Sequence, residues 1–152
     1  MTTSATTSSS APAVPTELPQ DLRGQVVPIL DFGSQYVQLI ARRVREAGVF
    51  SLLVRPDITI EELAAMKPVG VILSGGPSSV YDKGAPQCDP RLFDLGVPVL
   101  GICYGMQAAC QVLGAKVGKA TSREYGRAQI DVIDHSDLLH GLPKHTTVWM
   151  SH

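Results

Sequence analysis

The chain has 152 residues, enough for about one domain. A hydrophobic content of 44% and a mean hydropathy of +0.11 supply a core and exclude global disorder, and with aromatics at 5% that core has to be aliphatic. Thirteen Lys and Arg against fourteen Asp and Glu leave a net charge of −1, which excludes the basic footprint of a nucleic-acid or anionic-membrane binder.

In chain order, residues 1–25 are dominated by Ser, Thr, Ala and Pro, with Glu17, Asp21 and Arg23 as their charges. Such a segment buries too little apolar surface to offset its ordering entropy and is expected to be a disordered leader. It has neither the basic start and apolar block of a secretory signal nor the arginines of a mitochondrial presequence. A cytoplasmic chain with reduced thiols is expected; Cys88, Cys103 and Cys110 are odd in number and lack the C-x-x-C spacing of a zinc site. The longest apolar stretch, 97–103, contains Pro98 and Gly101 and falls far short of the ~20 residues that span a bilayer.

From Val26 onward, residues 26–152 read as one α/β domain. A strand is expected over 26–31, although Pro28 lacks a ladder donor. Val37, Ile40, Ala41 and Val44 recur at helical spacing, predicting a helix over 35–47 that Gly48 stops. A second apolar run covers 50–54. Thr59 with Glu62 fits a capping box that opens a short helix to about Met66. A buried strand is expected over 69–73, and Asp89-Pro90 sets a cap and a first helical position for a helix over 91–95. Another strand follows over 98–102, then a helix over 104–113 with Gly114 as its stop, and strands over 129–134 and 146–150. Alternating strands and helices, with apolar rather than alternating strands, predict a doubly wound, mostly parallel sheet covered on both faces.

In such a sheet ligands bind beyond the carboxyl ends of the strands. Three of those ends stand out: Asp31-Phe-Gly-Ser-Gln-Tyr36, Ser74-Gly-Gly-Pro77 and Gly101-Ile-Cys-Tyr-Gly105. A nucleophile at a sharp strand-to-helix turn needs small residues two positions to either side, and Gly101 and Gly105 supply them around Cys103. The helix N-terminus there favours negative charge, and the Tyr104 N–H is left free to face a developing oxyanion. Ser74-Gly-Gly-Pro77 is either a plain turn or a second donor loop. Gln107 stands one helical turn after Cys103, on the same face.

Blander readings stand beside these. Cys103 also fits a buried structural cysteine, the commoner state of a lone thiol. Cys110 reads as core packing and Cys88 as an incidental loop residue. Asp31 suits a turn or cap better than a ligand. His135, His140, His145 and His152 show no metal spacing and read as surface residues, and no metal site is expected. Arg42, Arg43 and Arg45 form a solvated flank or a docking surface for a partner domain.

Ile29-Leu-Asp-Phe-Gly-Ser-Gln-Tyr36, Ser74-Gly-Gly-Pro77, Gly101-Ile-Cys-Tyr-Gly-Met-Gln107, Arg123-Glu-Tyr-Gly126 and Val148-Trp-Met-Ser-His152 occur in that order. With them, residues 26–152 resemble the class I glutamine amidotransferase domain found at the N-terminus of the glutamine-hydrolysing GMP synthases. Gly-x-Cys-x-Gly-x-Gln is common to class I amidotransferases; Asp-Phe-Gly-Ser-Gln-Tyr, Cys-Tyr-Gly-Met-Gln and Trp-Met-Ser-His point to the GMP synthase branch.

The resemblance implies that Cys103 attacks the side-chain amide of glutamine to form a thioester and release ammonia. It implies that Gly76 and Tyr104 offer the oxyanion-hole N–H groups, and that Gln107, Ser151 and His152 bind substrate. It further implies an ATP-pyrophosphatase domain as partner in the same full-length chain, where ATP and Mg²⁺ activate xanthosine monophosphate, and a homodimer at full length. No cofactor is expected in these 152 residues themselves.

One departure matters. The family's base and its orienting carboxylate come from a His-x-Glu motif downstream of Trp-Met-Ser-His, beyond His152. The chain is therefore expected to be a fragment, with a C-terminally incomplete sheet, marginal stability and little activity alone. Two other classes are open: a cysteine hydrolase of the α/β-hydrolase type, for which Asp131, Asp134 and His135 stand close to Cys103 in sequence, and a non-catalytic binding or regulatory module.

Overall fold

A computed structural model of the chain describes residues 25–118 and 125–151. The expected leader lies almost wholly outside the described residues. The chain divides into two compact units at Val117/Gly118.

The first unit is built on β1 (Val26–Leu30), β2 (Phe50–Val54), β3 (Val71–Leu73) and β4 (Val99–Gly101), all parallel, in the order β2-β1-β3-β4. β1 pairs with β2 along its whole length, from Val26↔Phe50 to Leu30↔Val54. With β3 it pairs only at Ile29↔Ile72 and Leu30↔Leu73. The carbonyls of Val26 and Leu30 accept from Val69 and Ser74 on the β3 side, so the imino nitrogen of Pro28 faces that side too. Its missing donor falls where the ladder with β3 has not yet begun, which is how a proline sits in an inner strand.

Side chains alternate across the strands, and both faces are covered. Val26, Leu30, Val71 and Leu73 pack with Leu63 of α2 (Ile60–Ala65), Leu92 of the 3₁₀ helix Pro90–Leu95, and Tyr104 and Ala108 of α3 (Tyr104–Val112). Ile29 and Ile72 point the other way, against Val37 and Ala41 of α1 (Val37–Glu46). This is the doubly wound parallel sheet expected from the sequence, and it explains why the strands read as unbroken apolar runs.

Two helix starts follow local rules. The Thr59 hydroxyl accepts from the Glu62 N–H (3.2 Å) while the Glu62 carboxylate accepts from the Thr59 N–H (3.0 Å), the capping box read from the sequence. The Asp89 carboxylate accepts from the Arg91 N–H (2.9 Å) with Pro90 at the first position, and Gly96, at φ +69°, ends that helix. Arg91 also bridges Asp89 to Glu61 at 2.7 and 2.8 Å, tying the 3₁₀ helix to α2.

The second unit is an antiparallel pair, β5 (Tyr125–Asp131) with β6 (His145–Ser151), in register from Tyr125↔Ser151 to Asp131↔His145. β5 thus begins four residues before the strand expected over 129–134 and ends three before it. Its limits are set by cross-strand partners in β6, which no local pattern reveals, and the partial alternation seen there belongs to an exposed ribbon. Among the described residues no helix is long and apolar enough to cross a membrane.

Candidate active site

The site grows from the turn between β4 and α3. Cys103 is exposed and sits at φ +52°, ψ −113°, a conformation that residues with a side chain rarely adopt. The two flanking glycines are there for space. A Cβ on Gly101 would lie 2.7 Å from the Met106 nitrogen, and one on Gly105 would run into the Leu73 carbonyl oxygen and within 2.6 Å of the Ser74 oxygen. The turn can therefore close only with bare backbone at both positions. It is fastened by the Ile102 N–H to Leu73 O and the Gly105 N–H to Ser74 O, each 3.0 Å. The reading of Cys103 as a thiol raised on a cramped bend holds; the buried structural alternative does not.

α3 begins without a side-chain cap. Among the described residues no acceptor meets the Tyr104 amide, the first of the helix. The Tyr104 side chain goes the other way, into the core. Its ring packs edge-on against Phe32, with centroids 5.3 Å apart, and its hydroxyl donates to the Pro86 carbonyl at 2.6 Å. Burial, with a smaller contribution from Asp82, pushes the phenol above its usual range, so it stays a neutral donor. The side chain anchors the helix start while the amide stays available.

The end of β3 lies alongside. A Cβ on Gly75 would stand 3.5 Å from Cβ of Cys103 and 3.7 Å from the Ser34 hydroxyl, so Gly75 lies between the ends of β1 and β4. A Cβ on Gly76 would collide with the Phe32 carbonyl, which makes the close approach possible only for glycine. Among the described residues the Gly76 amide also meets no acceptor. A nucleophilic thiol and two unengaged amides, at the carboxyl ends of adjacent parallel strands, are the parts that acyl transfer requires.

The model of the glutamine amidotransferase class-I family matches residues 28–152. The chain belongs to the class I glutamine amidotransferases. It is 60% identical over 126 residues to the glutamine-hydrolysing GMP synthase of Nocardia farcinica, covering 83% of this chain and 24% of that protein. With its counterpart from Synechocystis sp. it shares 52% over 140 residues, which is 92% of this chain and 26% of the relative. The chain thus spans about a quarter of the length of the curated relatives it matches. The crystal structure of a GMP synthase component from Thermoplasma acidophilum superposes with a TM-score of 0.63 at 34% identity, over 82% of this chain and 62% of that one.

Within this amidotransferase domain the remaining expectations sort by position. Gln107 is half-buried one turn beyond Cys103, its amide donating to the Cys103 carbonyl at 3.1 Å. Ser151 is the last residue of β6, its backbone paired with Tyr125, and His152 lies outside the described residues. Asp31 makes a turn, accepting from the Gly33 N–H at 2.8 Å. Arg42 and Arg43 pair with Glu46 on the exposed face of α1, the solvated account of that flank. His145 shares a 2.6 Å hydrogen bond with Asp131 across the ribbon. Among the described residues no cluster of His, Cys, Asp and Glu could hold a metal.

Two cysteines depart from expectation. Cys88, read as incidental, is buried in the main core, where desolvation pushes its thiol up. Cys110, read as core, is half-buried on α3 outside the two core clusters. Sequence reasoning also misses the Ser74 side chain. In the sequence Ser74 is one letter of a glycine turn, whereas its hydroxyl lies fully buried at the meeting point of three loops.

Proposed function

We propose that this domain is the glutaminase part of a glutamine-hydrolysing GMP synthase. The observation that carries the reading is Cys103, exposed at positive φ, with the unengaged Tyr104 amide beside it. The thiol sulfur attacks the side-chain amide carbon of glutamine, and the carbonyl oxygen takes the charge. The N–H groups of Gly76 and Tyr104 hold that oxyanion, each such donor being worth roughly 10²–10³ in rate. Collapse breaks the C–N bond, the nitrogen leaves as ammonia, and a glutamyl thioester remains. Water then cleaves the thioester to glutamate and restores the thiol. Gln107, with Ser151 and His152, binds the substrate. The proton passes through the His-x-Glu pair that the family pattern places after His152.

The ammonia is used by an ATP-pyrophosphatase domain of the same full-length, dimeric, cytoplasmic enzyme. ATP and Mg²⁺ belong to that domain, where they activate xanthosine monophosphate for amination to GMP. Neither is assigned to any residue of this chain. The named relatives support this reading, as does the run Asp31-Phe-Gly-Ser-Gln-Tyr36 at the end of β1. The α/β-hydrolase alternative draws no support from Asp131, whose carboxylate is already engaged by His145.

The test is selective labelling in the longest natural reading frame. A γ-glutamyl electrophile should modify Cys103 at least tenfold faster than Cys110, and Cys88 only on unfolding. Cys103→Ala should lower glutaminase turnover by about 10⁶, the scale of losing a nucleophile. Equal labelling of the three thiols overturns the assignment.

A further inference from the structure

We infer that Ser74 is a positioning residue for the oxyanion hole, setting which way the Gly75–Gly76 peptide faces. This rests on the glutaminase reading above and adds to it the part that aims one of the two donors. The Ser74 hydroxyl is completely buried and has two partners. It accepts from the Phe32 N–H at 3.0 Å and donates to the Gly75 carbonyl at 2.9 Å, which uses its one proton. The Gly75 carbonyl and the Gly76 N–H belong to one peptide unit, and among the described residues every peptide bond is trans. In a trans peptide the C=O and N–H point in opposite directions. Holding the carbonyl inward on Ser74 therefore turns the Gly76 N–H outward.

Nothing else would enforce that choice. Two successive glycines impose almost no φ/ψ preference, so the peptide between them can rotate end over end at little cost. In the rotated state a carbonyl oxygen would replace the donor, and an oxyanion would meet repulsion. Ser74 is itself fixed at both ends of its backbone, its N–H to the Leu30 carbonyl and its own carbonyl to the Gly105 N–H, each 3.0 Å. One residue thus links the end of β1, the glycine loop after β3 and the first turn of α3. The hydroxyl touches no reacting atom; it acts through the peptide.

The test compares wild type with Ser74→Ala in the longest natural reading frame, on two reactions of Cys103. Iodoacetamide alkylates by displacement at a tetrahedral carbon and creates no oxyanion. Glutamate γ-semialdehyde adds reversibly as a hemithioacetal whose oxygen has to enter the hole. Alkylation should stay within twofold of wild type while aldehyde affinity falls at least tenfold, and glutamine turnover should lose kcat with KM little changed. Equal losses in both reactions would reduce Ser74 to general support of the fold, and no loss in either overturns the inference. The orientation is also read without chemistry, from the residual dipolar coupling of the Gly76 N–H. It should change in Ser74→Ala and be retained in Ser74→Thr, which keeps the hydroxyl and serves if the alanine variant does not fold. An unchanged Gly76 vector in the alanine variant overturns the inference. A wild type that alkylates normally yet captures no aldehyde counts instead against the glutaminase reading.

Discussion

The starts of α2 and α3 are both helix N-termini in one small body, and they are built on opposite principles. At α2 the Thr59 box satisfies two amides reciprocally and the cap residue sits in ordinary extended geometry, φ −70° and ψ 151°. At α3 the cap position is Cys103, in a rarely populated conformation, with no side-chain cap and an amide left open. The first arrangement contributes stability and offers nothing to a ligand. The second costs stability and leaves donors and a thiol facing outward. Strain and unsatisfied donors together mark a helix start as chemical rather than architectural.

The contrast breaks most readily at Gly105. Its missing Cβ is the space occupied by backbone of Leu73 and Ser74, which cannot move like the end of a side chain. Gly105→Ala should destabilise the first unit by about 3 kcal/mol, at the upper end for overpacking, and slow Cys103 alkylation as the turn opens. Urea unfolding followed by circular dichroism, with thiol labelling in parallel, checks both.

Removing the strain without removing the turn gives a smaller effect of opposite sign. Cys103→Gly relieves about 1–3 kcal/mol of backbone strain. It gives back about 0.5–1 kcal/mol through the freer unfolded chain. A net gain of about 1 kcal/mol is expected, with all Cys103 chemistry lost, seen as a higher urea midpoint. A destabilised glycine variant would mean that the bend is not strained.

The smallest change is at the other helix. Thr59→Ala should cost about 1 kcal/mol and leave the alkylation rate of Cys103 unaltered. The Thr59 backbone N–H, and after it the hydroxyl, hold the Glu62 carboxyl below its usual 4.5. A carboxyl lowered in the folded state contributes stability that is complete above its unfolded pKa and is lost as pH falls through the folded one. The gap between wild type and Thr59→Ala should therefore narrow as the solution is taken from about pH 6 to about pH 3. A gap that widens on acidification would show that the box does not act through the carboxylate.

Much of the site could be read in advance because its grammar is local. Gly101, Cys103 and Gly105 fall within five residues, and a cramped strand-to-helix turn has few other spellings. Thr59 with Glu62, and Asp89 with Pro90, are equally local. What stayed hidden depends on distant partners. The Ser74 hydroxyl takes its hydrogen bond from Phe32, 42 residues away, and the Tyr104 hydroxyl gives its own to Pro86, 18 residues away. The extent of β5 is set by β6, and Cys88 looked idle only because the side chains that bury it come from other elements.

Composition, periodicity and short motifs by themselves determined an aliphatic parallel α/β body, its helix starts and the nucleophile, since each depends on the chemistry of neighbouring residues. Only the tertiary structure decided what surrounds that nucleophile. Chain segments far apart in sequence meet at the carboxyl edge of the sheet, and there one buried hydroxyl, Ser74, joins the loop after β1 to the glycine peptide after β3. Burial is a property of the assembled layers, and so is the geometry it imposes.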